Sequence, residues 1–180
     1  MENCIYIVVS QTGTILSKTI RLVTGAKYTH ASISLNASLN TMYSFGRIRQ
    51  RNPFVGGFVL ESPETGPFRR VFDIPIVVIA IPITTDTYNA LRKYLENMYQ
   101  MRYFYRYNYR GLILAAVHRG CHSPYRFYCS EFVQDVLFRF QLLSADQLRD
   151  AIHPIHFLNI SGGHVIYEGT MRHYIENIAC

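Results

Sequence analysis

The sequence predicts a single α+β domain in which an antiparallel β-sheet packs against helices. The first half of the chain alternates short β-rich runs with turn residues, and the second half carries apolar residues at helical spacing. No linker, repeat or low-complexity tract divides the 180 residues. Since 49% of the residues are hydrophobic, a chain of this length can bury one sizeable core. We therefore expect one domain over residues 1–180.

Five runs in the first half are predicted as strands. They are separated by Gly, Asn, Ser and Pro residues, which are typical of turns, and they span residues 5–10, 31–35, 41–46, 57–61 and 74–81. The last run is apolar at nearly every position, as expected for a strand that is covered on both faces. Between the first two runs, residues 14–23 predict a helix that Gly25 ends.

The second half is predicted to be mainly helical. Thr84 precedes a helix with an apolar face formed by Tyr88, Leu91, Leu95 and Met98. Further helices are predicted over 111–118 and 129–140, with one or two helical turns in 144–152 and a last short strand at 165–167.

Composition narrows the classes of function. No apolar run reaches the roughly 18 residues that a membrane-spanning helix needs, and the N-terminus lacks the basic region of a secretory signal. We therefore expect a cytoplasmic protein without stable membrane insertion. The cysteines, which are Cys4, Cys121, Cys129 and Cys180, form neither a C-x-x-C pair nor a disulfide framework, so free thiols are expected. The net charge of +6 favours an anionic partner but names none.

The histidines offer a weak metal-binding pattern. His118 and His122 are four residues apart, and His153 and His156 are three apart, which are spacings that metal ligands use. Turn-forming residues around the first pair break any helix that would align its side chains. We therefore expect no metal and no cofactor.

Cys129 is the candidate nucleophile. The segment 127–133 (FYCSEFV) places it in the first turn of a predicted amphipathic helix, where unpaired N–H groups and the positive end of the helix dipole favour a thiolate. The backbone N–H of Cys129 is also placed to donate to a developing oxyanion. The alternative is that Cys129 is only a small apolar residue at a helix start.

His30 is the candidate general base. The segment 28–35 (YTHASISL) sets it at the entry of a strand, where its side chain can face a helix N-terminus while Ile33 and Leu35 point into the core.

These two motifs resemble the circularly permuted branch of the NlpC-type papain-like hydrolases, the YiiX-like group, which is related to lecithin:retinol acyltransferase. In that branch the histidine precedes the cysteine, as it does here. The segments 43–47 (YSFGR), 56–61 (GGFVLE) and 105–112 (YRYNYRGL) are also similar to this group, so the resemblance covers residues 5–167. It implies a papain-like fold, with an antiparallel sheet or partial barrel packed against helices.

The resemblance also implies a site and a reaction. Cys129 would attack an amide carbonyl in a peptide, an isopeptide or an N-acyl compound, with His30 as general base, so a small peptide or acylated substrate is expected. A polar residue should orient the imidazole; Ser44 occupies the corresponding position, and Glu61 on the next strand is the other candidate. By analogy with papain-like sites, Gln11 and Tyr128 are candidates for oxyanion or substrate binding.

Two other functions remain open. One is lipid-directed chemistry, an acyltransferase or phospholipase of the lecithin:retinol acyltransferase type. The other is a catalytically silent module that binds an anionic ligand or RNA through residues 101–110, where arginines alternate with aromatic residues. We favour a packed connection for that segment, with tyrosines covering the core and arginines facing water, so nucleic acid binding is disfavoured. The sequence does not determine the oligomeric state.

Overall fold

A computed structural model describes residues 3–12, 25–48, 55–65 and 73–177. Within these residues the chain forms an α+β structure. Its strands, in chain order, are β1 (Asn3–Ser10), β2 (His30–Ser34), β3 (Met42–Arg47), β4 (Gly56–Glu61), β5 (Pro75–Ile83), β6 (Arg106–Tyr107), β7 (Arg126–Phe127) and β8 (His164–Thr170). Its helices are α1 (Thr85–Gln100), α2 (Tyr109–Ala115), α3 (Cys129–Arg139) and α4 (Met171–Asn177). Short 3-10 helices cover Ala145–Gln147 and Pro154–Asn159.

The main sheet has six strands in the order β4-β3-β2-β1-β5-β8, and each neighbouring pair is antiparallel. All five strands predicted in the first half are confirmed to within two residues at either end. β5 lies between β1 and β8 and is largely buried, which explains its nearly continuous apolar sequence. The predicted helix over 14–23 lies outside the described residues.

Two apolar layers cover the sheet, because side chains alternate between the faces of each strand. The larger layer joins one face to α1 and α3. Its centre is an aromatic cluster in which Phe45, Phe58 and Phe132 lie with ring centroids 5.4 to 5.5 Å apart. The smaller layer covers the other face and includes Val8 from β1 and Tyr174 from α4.

Helix α1 follows the sequence prediction. The Thr84 hydroxyl caps it by accepting from the Thr87 N–H at 3.2 Å, and the predicted face buries Leu91, Leu95 and Met98.

Helix α2 is displaced from the predicted range of 111–118. It begins earlier because the Asn108 side chain accepts from the Gly111 N–H at 2.9 Å. It ends before His118, whose φ of 57° is left-handed and cannot continue a helix.

The chain also forms a two-residue parallel ladder between β6 and β7, which the sequence did not predict. This ladder precedes α3 directly in the chain and so sets where that helix starts. Within the described ranges, no helix has the length and apolar character needed to cross a bilayer.

Candidate active site

His30 lies at the end of the sheet where β1 finishes and β2 starts. It pairs with Ser10 in the β1–β2 ladder and is only 7% exposed. Ser32, two residues along β2, shares its face of the sheet. Ser44 of β3 and Glu61 of β4 lie on the same polar part of this face, since both contact the His30 ring.

Glu61 is the close partner of His30. Its Oε2 lies 2.8 Å from Nε2 of the imidazole, and both side chains are at least nine-tenths buried. To make this contact, the carboxylate reaches from β4 across β3. The carboxylate passes close to Gly46, where a Cβ would lie 3.4 Å from Glu61 Oε1 and 3.3 Å from Val59 Cγ2.

Ser44 is a secondary partner. Its Oγ is 3.4 Å from the same Nε2 and donates at 2.7 Å to the Ala31 carbonyl. The hydroxyl proton is therefore used in a bond to the backbone. The β2–β3 ladder does not extend to Ala31 and Ser44. Both residues proposed from the sequence reach His30, and Glu61 makes the shorter contact.

Cys129 reaches the same place from the opposite direction. It is the first residue of α3, and the buried residues Phe132, Val133, Val136 and Leu137 hold that helix against the sheet. Its sulfur lies 4.0 Å from the Thr29 carbonyl oxygen, and the thiol interacts with the His30 side chain closely enough to raise the pKa of the imidazole. Since Glu61 and Ser44 contact Nε2, the imidazole nitrogen left for the sulfur is Nδ1.

The charges around His30 favour its protonated form. Burial alone would lower its pKa, but the Glu61 carboxylate, the hydrogen bonds with Cys129 and Glu61, and the charge on Cys129 together raise the pKa well above 6.5. At neutral pH the ring therefore favours the imidazolium, which is the form that pairs with a thiolate.

A second buried network fixes the start of α3. Glu131 accepts from the Tyr128 N–H at 3.2 Å and from Asn108 Nδ2 at 3.0 Å, and it lies 2.9 Å from His122 Nδ1. Burial raises the pKa of Glu131, and these hydrogen bonds oppose that effect. Sequence analysis missed this network. A glutamate three residues after a helix N-cap was a readable capping signal, but the partners Asn108 and His122 come from distant segments.

A cleft of about 470 Å³ opens beside this network. Its lining includes His122, Glu131 and Phe138 but neither His30 nor Cys129. The cleft is therefore separate from the Cys–His pair.

Gln11 and Tyr128 flank the site. Gln11 follows β1 directly, at the end of the sheet that carries His30, and its backbone N–H donates to the Pro75 carbonyl at 2.9 Å. Tyr128 is buried, and its hydroxyl accepts from the Ile152 N–H at 3.2 Å. Their roles in oxyanion or substrate binding stay predictions.

The histidines considered for metal binding take other partners. His153 lies 3.1 Å from the Ala115 carbonyl oxygen, and its N–H donates to His156 Nδ1 at 3.1 Å. In the described part of the chain, no group of three or more His, Cys, Asp and Glu side chains is arranged to hold a metal ion. Cys4, Cys121 and Cys129 are free thiols, and Cys180 lies outside the described residues.

No family model matches the chain, and no curated protein or solved structure matches it either. A proposal for its function must therefore depend on the site itself and on the motifs of the sequence.

Proposed function

We propose that the protein is a cysteine hydrolase of the papain-like type, with Cys129 as nucleophile, His30 as general base and Glu61 as the residue that orients the base. The observation that carries this proposal is the buried series of contacts Glu61–His30–Cys129. His30 and Cys129, which are 99 positions apart in the chain, meet there, and each residue has the chemistry that its role requires.

The fold supports the papain-like part of the proposal. A histidine on a strand faces a cysteine at the N-terminus of a helix, and that helix packs on an antiparallel sheet. The histidine comes first in the chain, as in the permuted NlpC-type arrangement that the sequence resembles.

In the resting pair the thiol proton of Cys129 has already passed to His30, which leaves a thiolate beside the imidazolium. The sulfur then attacks the carbonyl carbon of the substrate, and the carbonyl oxygen becomes an oxyanion. Collapse of this intermediate expels the amine, which takes the proton from His30, and leaves a thioester on Cys129. Water, losing a proton to His30, attacks the thioester and releases the carboxylic acid and the free thiol.

The oxyanion has donors at the start of α3. The first N–H groups of a helix have no acceptor within the helix, and the N–H of Cys129 lies next to the attacking sulfur. The helix dipole adds to this stabilisation. The Glu131 network holds this turn in place by fixing the Tyr128 N–H directly before it.

An amide in a small peptide or N-acyl compound is the substrate class that the resemblance favours. Assays with amide substrates and with phospholipid vesicles distinguish an amide hydrolase from a lipid-directed enzyme. If fatty acid is released from phospholipid vesicles and no amide is cleaved, the lipid-directed acyltransferase or phospholipase is the correct alternative.

The direct test is selective alkylation at pH 6 with a small electrophile such as iodoacetamide, with the rate at each cysteine measured by mass spectrometry. Cys129 should react faster than the more exposed Cys4 and Cys121, and His30→Asn should remove this advantage. Alkylation in denaturant controls for peptide detection. If Cys129 in the native protein reacts no faster than Cys4, the proposal is wrong.

A further inference from the structure

The turn after α1 displays apolar side chains to solvent. We call residues 101–104 the aromatic turn; Met101 is 48% exposed, Tyr103 73% and Phe104 74%. The expectation that this segment covers the core holds for the buried Tyr107 and the half-buried Tyr105, and it fails for the aromatic turn.

The aromatic turn has a defined conformation. The Phe104 N–H donates to the Met101 carbonyl at 3.0 Å, and the Arg102 N–H donates to the Tyr99 carbonyl at 3.2 Å. The Arg102 guanidinium lies 4.5 Å from the ring centroids of both Tyr99 and Tyr103. The backbone and Arg102 thus hold Tyr103 and Phe104 away from the core. Because the turn is already ordered, binding through it loses little conformational entropy.

Two arginines lie directly beside the aromatic turn. Arg106 and Arg126 are exposed and are register partners in the parallel β6–β7 ladder, so two like charges start from neighbouring backbone positions. We call them the arginine pair. Among the described residues, neither arginine pairs with an acidic side chain. Tyr105 and Tyr125 connect the pair to the turn, with ring centroids 6.3 Å apart.

We propose that the aromatic turn and the arginine pair dock the protein on an anionic membrane surface. Tyrosine and phenylalanine partition into the headgroup region of a bilayer, and the arginine pair supplies charge complementary to anionic lipid phosphates. Like-charge repulsion in the ladder is relieved when such phosphates lie between the two guanidinium groups. The protein's net charge of +6 acts in the same direction.

The shape of this surface favours a bilayer over nucleic acid. Single-stranded nucleic acid follows a groove in which successive bases stack on aromatic rings. Here Tyr103 and Phe104, the two most exposed aromatic rings of the residues that the structure describes, lie on a turn next to the aliphatic Met101. A projecting apolar turn suits insertion into a flat interface. Arg126 is three residues before Cys129 in the chain, so docking would also hold the candidate site close to the lipid.

The test is co-sedimentation of the full chain with phosphatidylcholine vesicles that contain or lack phosphatidylserine, at two salt concentrations. We expect binding only to the anionic vesicles, weakened by salt. The double variant Arg106→Gln/Arg126→Gln should lose about 25-fold in affinity, at about fivefold per charge. Replacement of both Tyr103 and Phe104 by Ser should lose about tenfold.

Matched control variants test whether binding depends on this surface or on the protein's overall charge and exposed apolar area. The variant Arg92→Gln/Lys93→Gln removes two exposed charges from α1 at least about 12 Å along the helix from the turn, beyond the screening length of about 8 Å. The variant Ile113→Ser/Val117→Ser removes apolar residues that are 70% and 59% exposed elsewhere. Both should bind vesicles like the unaltered protein.

The outcomes are decisive. The proposal is overturned if the unaltered protein fails to bind anionic vesicles, if the controls weaken binding as much as the surface variants, or if the protein binds single-stranded RNA and not vesicles. Cys129→Ala should bind vesicles normally, because docking does not use the thiol. Vesicle binding without selective alkylation of Cys129 would refute only the proposed hydrolase, and the reverse result would refute only the docking.

Discussion

Replacing Glu61 with glutamine tests the central contact of the candidate site. The change preserves the shape of the side chain and removes its charge. In the unaltered protein the raised pKa of His30 gives a contribution to stability that is fully present below pH 6.5 and is lost as the pH rises through the raised value. In Glu61→Gln the burial of His30 remains while its main charge partner is gone. We therefore expect the pKa of His30 to fall and the imidazole to be neutral at pH 7.

The magnitude follows from the 2.8 Å separation of two buried groups. Opposite unit charges at that distance attract by about 6 kcal/mol at an effective dielectric constant of about 20. Measured losses of one partner from a buried pair are smaller, about 3 to 5 kcal/mol, because desolvation opposes the attraction. The glutamine carbonyl can still accept a hydrogen bond from Nε2, which offsets about 1 kcal/mol of this loss. A net loss of about 2 to 4 kcal/mol corresponds to about 30- to 1000-fold in rate.

Two assays measure this effect without a known substrate. The rate of Cys129 alkylation as a function of pH should fall by that factor at pH 6, and histidine NMR should show the lower pKa of His30. Ser44→Ala is the matched control, since Ser44 contacts the same nitrogen only at 3.4 Å. If Glu61→Gln alkylates like the unaltered protein while Ser44→Ala is slow, Ser44 is the orienting residue and the reasoning fails.

Three further predictions follow from other parts of the structure. Gly46→Val should slow Cys129 alkylation at least about tenfold, because its methyl groups fill the space through which Glu61 crosses β3; Gly46→Ala should have a smaller effect in the same assay. Burial, and after it the positive charge of Arg149, lowers the pKa of His156 to about 4. The free energy of unfolding, measured by urea denaturation, should therefore fall as the pH drops from 6.5 to about 4. His156→Gln should make it less dependent on pH. Glu131→Ala should cost about 3 kcal/mol of unfolding free energy in the same measurement, since two buried donors, Asn108 Nδ2 and the Tyr128 N–H, lose their acceptor. An unchanged urea midpoint would show that the network does not stabilise α3.

Much of the fold could be predicted because local patterns agreed with the tertiary structure. Polar and apolar residues alternate in β2, whereas β5 is apolar at nearly every position. Both patterns predicted strands, and both strands belong to the main sheet. The start of α3 at Cys129 was readable because an amphipathic stripe follows that residue immediately. The pairing of His30 with Cys129 could be predicted only through the resemblance, since the two residues are 99 positions apart.

The rest depends on contacts that no local pattern contains. The contact distances to His30 differ between Glu61 and Ser44 because the carboxylate extends to the ring from β4, whereas the Ser44 hydroxyl donates to the Ala31 carbonyl. The shift of α2 follows from Asn108, which both caps that helix and donates to Glu131. The β6–β7 ladder has only two residues on each strand, too few for any periodicity.

The candidate site joins two units that the protein holds by different means. His30 and Glu61 belong to the sheet and depend on strand register, whereas Cys129 belongs to α3 and depends on the packing of that helix. The two units meet in the aromatic cluster, where Phe132 of α3 contacts Phe45 and Phe58 of the sheet. Because interiors are close-packed and transmit small displacements, we expect a loss of ring volume at Phe132 to move the sulfur relative to the imidazole. The apolar core therefore sets the distance between the Cys129 sulfur and the His30 imidazole, and the polar face of the sheet sets the charge state of His30.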